Sequence, residues 1–147
     1  MKTCERVTEP GCHGGTPLNA LPPPIIPKQH SVLTRDFIFS TVSTVFGVEP
    51  LVLQQPSRGR ARAALARQVA MYLAHVACGL SLTAVGRIFG RDRSTVSHAC
   101  RRIEDAREAA IFDEAVAMLE RSVRMIVRTS PSLRRDLELA ERGEVSW

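Results

Sequence analysis

The sequence is short of aromatic residues, of cysteines in metal-binding spacing and of long apolar runs, and each shortage removes a class of protein. Phe, Tyr and Trp make up 5% of the 147 residues, with a single Trp and a single Tyr. A core must then be built from Ala, Val, Leu and Ile, which favours packed helices over a β-sandwich. Cys4, Cys12, Cys78 and Cys100 contain no CxxC pair, so reduced thiols of a cytoplasmic protein are expected. Cys4, Cys12, His13 and His30 follow no zinc-ligand spacing, and neither a metal nor a cofactor is expected. No apolar stretch approaches the roughly 20 residues that span a bilayer, and the N-terminus lacks the apolar region of a signal peptide. A nucleophile–base pair and a GxxxxGK(S/T) phosphate loop are also absent from the sequence. Neither an enzyme nor a nucleotide-binding protein is expected.

What is present is unevenly charged. The net charge is +5 with a pI of about 9.6, but the excess is local. Met1–Pro56 is neutral, Ser57–Arg107 carries +7 and Glu108–Trp147 carries −2. Ten arginines between Ser57 and Arg107 form the kind of electrostatic footprint that meets phosphate. The length suits one ordinary domain with a tail.

Residues 1–30, rich in Pro and Gly and including Pro22-Pro23-Pro24, are expected to be a disordered or extended arm. In Ser31–Phe46, the residues Phe37, Ile38, Val42, Val45 and Phe46 fall on one helical face. Glu49–Leu53 is expected to add a turn and Gln54–Arg58 to connect. Arg60–Cys78 reads as a helix with the stripe Leu65, Val69, Tyr72, Leu73 and Val76, stopped at Gly79. In Glu108–Arg128, the residues Ile111, Ala115, Leu119, Val123 and Ile126 are expected to face inward, with Phe112, Val116 and Met118 widening the stripe and Pro131 ending the helix. Leu133–Ala140 is expected to form a short helix. Residues 108–147 would then pack on a domain spanning 31–107, or offer the Ile111–Ile126 helix to a second copy or another protein.

Between these lies Ser81–Ile103, which reads as two short amphipathic helices joined by a glycine turn. Ser81 can cap the first helix, whose inner face is Leu82, Val85, Ile88 and Phe89. Gly90 supplies backbone freedom for the turn. Asp92 can cap the second helix, its carboxylate near the free N–H groups. There Val96, Ala99, Cys100 and Ile103 repeat at i, i+3, i+4 and i+7, leaving hydroxyls, a histidine and arginines outside. A helix-turn-helix sends the start of its second helix to base edges in the major groove. Arg93 can pair with guanine O6 and N7, and Thr95 offers a hydroxyl and a methyl. Ser94 and Ser97 suit a base or a phosphate. Arg101 and Arg102 suit backbone phosphate, as do Arg58, Arg60, Arg62 and Arg67 upstream. His98 has no carboxylate or cysteine at a catalytic or metal-binding spacing, so a phosphate or packing contact is expected of it.

The run from Gly90 to Ile103, GRDRSTVSHACRRI, resembles the signature of the C-terminal DNA-binding domain of the bacterial replication initiator DnaA, which reads GGRDHTTV-x-HA, then a basic residue and Ile. Arg67-Gln68-Val69-Ala70-Met71-Tyr72-Leu73 resembles the family's RQ-hydrophobic-A-M-x-L block. Ser81-Leu82, Gly86 and Phe89-Gly90 resemble its SL-x-x-IG-x-x-FG block. Phe46-Gly47-Val48 and Leu53 resemble the end of the preceding helix. The resemblance covers about Phe37–Arg107 and implies an all-α orthogonal bundle with a Trp-repressor-like helix-turn-helix that binds short asymmetric duplex sites. It implies base contacts from Asp92, Arg93, Ser94 and Thr95, with Arg67 and the Ser97–Arg101 neighbours near phosphate. The sequence departs from the pattern in four places. Arg93 replaces the signature histidine, Ser94 replaces the first threonine, and one of the paired glycines is missing. Leu65 and Ala66 stand where the family has a minor-groove arginine and a proline, which leaves Arg62 as the nearest substitute. The expected function is double-stranded DNA binding in a regulator of transcription or replication, associated with the nucleoid. The alternative is a protein-interaction module that kept the fold and lost specific DNA binding.

Overall fold

Ala61–Val76 forms the helix against which most of the other elements pack. Six of its sixteen residues are alanine, which favours the helix and lets neighbouring backbones approach closely. The computed structural model describes residues 30–54 and 61–144, with side chains from residue 33 onward. Its described residues form seven α-helices and no strand: α1 (His30–Phe46), α2 (Pro50–Gln54), α3 (Ala61–Val76), α4 (Leu82–Phe89), α5 (Arg93–Ala106), α6 (Ala110–Thr129) and α7 (Pro131–Arg142). Residues 1–29 of the expected arm, the connector after Gln54 with Arg58 and Arg60, and Trp147 lie outside the described residues. The all-α class follows the sequence expectation. No helix among the described residues is long and apolar enough to cross a membrane.

Helix α3 is buried on more than the one stripe its large residues suggest. Ala63, Ala66, Ala70, Met71 and Ala74 join Val69, Tyr72 and Leu73 in the interior, while Leu65 and Val76 are only half-buried. Alanine marks no face by pattern, yet four of the six are buried in this helix, which packs against α1, α2, α4, α5 and α6. On α1 the interior side chains are Thr34, Ile38, Phe39, Val42 and Ser43. Val45, expected to face inward, is 53% exposed. Apolar residues ring this helix, so period alone does not choose its inner face. Phe39 decides it by meeting Phe89 of α4 edge to face at 5.2 Å, a favoured aromatic geometry.

Helix α6 corrects the expected register. Ile111 points outward, as do Met118 and Ile126, and the interior stripe is Phe112, Val116, Leu119, Val123 and Val127. The misleading residue is Glu120, which the pattern assigns to solvent but which is buried beside this stripe. Its carboxylate is held by Tyr72 and by two arginines, and a buried charge is tolerable only with such partners. Pro131 does more than close α6. Ser130 ends α6 and caps α7 by accepting from the Leu133 N–H at 3.5 Å, and Pro131 takes the first-turn position that needs no N–H donor. Helix α7 is longer than expected and lies against α1, where the Asp136 carboxylate accepts from the Thr34 N–H at 3.0 Å and from the Thr34 hydroxyl.

Candidate nucleic-acid interface

The central motif folds as two helices around a turn that one glycine closes. Ser81 caps α4, its hydroxyl accepting from the Ala84 N–H at 3.2 Å. At the other end Gly90 adopts a left-handed conformation at φ 60°, ψ 43°. The Arg91 N–H then reaches back to the Gly86 carbonyl at 2.8 Å and the Gly90 N–H to the Arg87 carbonyl at 3.3 Å. This is the Schellman arrangement, which satisfies carbonyls left over at a helix end. A β-carbon on Gly86 would stand 2.5 Å from the Arg91 carbonyl oxygen. Gly86 therefore lets the chain fold back over α4, and Gly90 lets it turn. The missing second glycine of the resembled signature does not open the turn.

Asp92 occupies the N-cap of α5, but its carboxylate makes no capping hydrogen bond, contrary to expectation. With Thr83, Arg87, Arg91, Arg93 and Thr95 it lines an open cleft of about 530 Å³ at the turn. Val96, Ala99, Cys100 and Ile103 are buried, as their spacing requires. The opposite face presents Ser94, His98 and Arg101, with Arg93 and Ser97 on one edge and Thr95 and Arg102 on the other. All of these are exposed except half-buried Ser97. Positive side chains and unpaired helix N–H groups thus gather at the start of α5, while exposed Glu104 and Asp105 mark its far end. That polarity suits an N-terminus directed at phosphate.

Arg62 is exposed at the start of α3, and Arg67 is half-buried one turn later. The Arg67 Nε–H donates to the Ala63 carbonyl at 3.2 Å. Burial, and then repulsion from Arg91, hold its guanidinium below the usual arginine range, though it remains a cation at neutral pH. Arg35, Arg67 and Arg91 rim a small cavity of about 60 Å³ floored by Phe39, Met71 and Phe89. Exposed Arg91 therefore links the α3 arginines to the turn. It sits inside the motif, and its place next to Asp92 is the signal that could have added it to the candidates.

The far end of α5 is fixed by a cluster that sequence reasoning missed. Arg107, the C-cap residue, donates from Nη1 to Glu120 Oε1 at 2.5 Å and to the Tyr72 hydroxyl at 2.6 Å, and from Nε to Asp113 Oδ1 at 2.5 Å. Tyr72 donates to Glu120 Oε1 at 2.9 Å, and Arg124 lies 3.2 Å from Glu120 Oε2. The bond to Asp113 leads the causes that raise the Arg107 pKa further. Burial, then the bond to Glu120, raises that of Tyr72. Helix α7 steadies α4 in turn. Glu141 accepts from the Ser81 N–H at 3.0 Å, and Arg87 donates to the Ala140 carbonyl at 3.3 Å. Cys78 and Cys100 are free thiols, and no group of three or more metal-ligating side chains occurs among the described residues.

Among known proteins, residues 35–103 match the family model of the bacterial DnaA protein helix-turn-helix. The chromosomal replication initiator protein DnaA of Lachnoclostridium phytofermentans is 34% identical over 101 residues, covering 67% of this chain and 22% of that protein. DnaA 2 of Chlamydia trachomatis is 39% identical over 87 residues, covering 58% and 19% respectively. DnaA 2 of Chlamydia pneumoniae is 46% identical over 72 residues, covering 49% and 16%. A solved DNA replication initiation factor superposes with a TM-score of 0.58 at 28% identity, over 66% of this chain and 30% of that one. The chain thus spans about a fifth of the length of these curated relatives.

Proposed function

We propose, from the premise that residues 35–103 form a helix-turn-helix domain of the bacterial DnaA type, that this protein binds duplex DNA at specific sequences and regulates transcription or replication there. The observation that carries this reading is the outer face of α5. Arg93, Ser94 and Thr95 stand exposed at its N-terminus, away from the buried Val96, Ala99 and Ile103. Inserted into the major groove, this end brings Arg93 and Thr95 to base edges, with Asp92 and Ser94 beside them. Ser97, His98, Arg101 and Arg102 then meet phosphates along the two sides of the groove, and Arg62 and Arg67 of α3 add further phosphate contacts. Arg58 and Arg60 add charge from the segment before α3. Arg93 in place of the signature histidine changes the donor geometry, so we expect it to set a base preference of its own.

Selection from random duplexes, followed by a salt titration on the enriched sequence, tests the proposal. An enriched site is expected. Arg93→Ala should cost about 1–3 kcal/mol at one base position, whereas Arg102→Ala should weaken all sequences alike and lower the salt slope by about one. Absence of any enriched sequence, or undiminished binding by an Arg93→Ala/Thr95→Ala protein, overturns it.

A further inference from the structure

We propose that α6 is the contact surface of a two-fold symmetric dimer, packed antiparallel against the α6 of a second copy of this chain. The helix buries one stripe against the core and presents a second one outward. Ile111, Ala115, Met118, Ser122 and Met125 recur at alternating intervals of four and three residues, the spacing of a helix–helix seam. Ile111 is 88% exposed, Met118 58% and Met125 66%. Large apolar side chains occupy one seam position, and small Ala115 and Ser122 occupy the other, which allows a close approach. Beside the seam, Thr41, Thr44 and Val45 of α1 complete an apolar groove of about 360 Å³. Contiguous exposed apolar surface of this kind marks an interaction site.

Charge identifies the occupant. Exposed Glu114 and Arg121 lie one heptad apart on the same edge of the seam, and neither makes an ion pair among the described residues. In a parallel pair Glu114 and Arg121 would face Leu119 and Ile126 of the second copy and gain no opposite charge. An antiparallel pair with its two-fold axis near Met118 puts Glu114 of each copy opposite Arg121 of the other and brings Ile111 next to Met125. The same rotation carries Glu108, just before α6, to the end where Arg128 lies, and it opposes the two helix dipoles. The seam is thus complementary to itself, as an isologous interface must be.

Sedimentation velocity on the full chain over a range of concentrations tests this without DNA. The expected mass is twice 16.2 kDa. Met118→Asp, at a position outside the core, should return the mass to that of one chain with an unchanged helical circular-dichroism spectrum. Glu114→Arg should also dissociate the dimer, and Glu114→Arg/Arg121→Glu should restore it. A single-chain mass for the wild type at every concentration overturns the proposal. So does a dimer indifferent to Met118→Asp, or a double reversal that fails to re-form it.

Discussion

Replacing Arg107 by Leu removes the cation that ties α5 to α3 and α6, and the cost can be worked from its partners. Three donated bonds disappear, to Asp113, Tyr72 and Glu120. Glu120 is only 8% exposed and keeps the Tyr72 hydroxyl and Arg124. Breaking a buried ion pair from one side costs about 3–5 kcal/mol. The Arg107 side chain is 27% exposed and Arg124 remains, so partial screening brings the expected loss to about 2–3 kcal/mol. For a chain of this length that lowers Tm by roughly 5–10 °C. Urea unfolding followed by circular dichroism, on Arg107→Leu, Glu120→Leu and the double variant, isolates the interaction. The double variant should lose less than the sum of the singles, with a coupling of about 1–3 kcal/mol. Arg107→Lys keeps the charge but cannot serve three acceptors from one planar fork, so it should fall between wild type and Arg107→Leu. If the two single effects add to within about 0.5 kcal/mol, the cluster is an ordinary screened surface pair and the reasoning fails.

Gly86→Ala should destabilise the fold by about 1–3 kcal/mol, because its β-carbon meets the Arg91 carbonyl oxygen and the turn must shift. DNA affinity should fall further than the lost folded fraction accounts for, and a titration well below Tm that finds wild-type affinity would contradict the role given to this glycine. The thiols of buried Cys100 and half-buried Cys78 should be inert. Burial pushes Cys78 up to about 12 and, with Glu104, Cys100 up to about 11, so in a Cys4→Ser/Cys12→Ser protein neither should react with a disulfide reagent at pH 8 until the chain unfolds. Prompt labelling would refute that burial. These thiols and Tyr72 have folded pKa values above their ordinary 9.0 and 10.0. Their contribution is complete below the unfolded values and is lost as pH rises through the folded ones. Urea stability should therefore hold to about pH 9 and decline steadily toward pH 12, and a flat profile across that window would count against it.

Much of the fold and of the candidate face was legible because the signals were local. The α5 period, the Ser81 cap and the left-handed Gly90 each depend on residues within a turn or two, where spacing and propensity act directly. The errors arose where tertiary partners overruled pattern. Glu120 reads as a surface residue until Tyr72, forty-eight positions away, supplies its hydrogen bond. Once it turns inward, Ile111 and Ile126 must turn out. Val45 lost its place to Phe39 because an aromatic partner on α4 fixed the rotation of α1. Asp92 stands at the cap position that its type suggests, yet leaves the N–H groups of α5 without its carboxylate, a choice of rotamer that no spacing rule encodes.

The matched region ends at Ile103, but the forces that orient the two helices of the motif do not. Helix α4 is held at its start by Glu141 and near its end by the Ala140 carbonyl, both from α7. Helix α5 is held at its far end by Asp113 and Glu120, both from α6. A recognition helix must keep several side chains in register with base edges at once, so a small rotation misplaces all of them together. Fixing each helix from behind, through α6 and α7, would leave that face free to change its residues without changing its pose. Arg93 and Ser94 stand where the resembled signature has histidine and threonine, on a backbone whose turn and caps are intact. On the proposed reading, substitution on the outer face with bracing from behind would let the scaffold present different side chains to DNA without a change of pose.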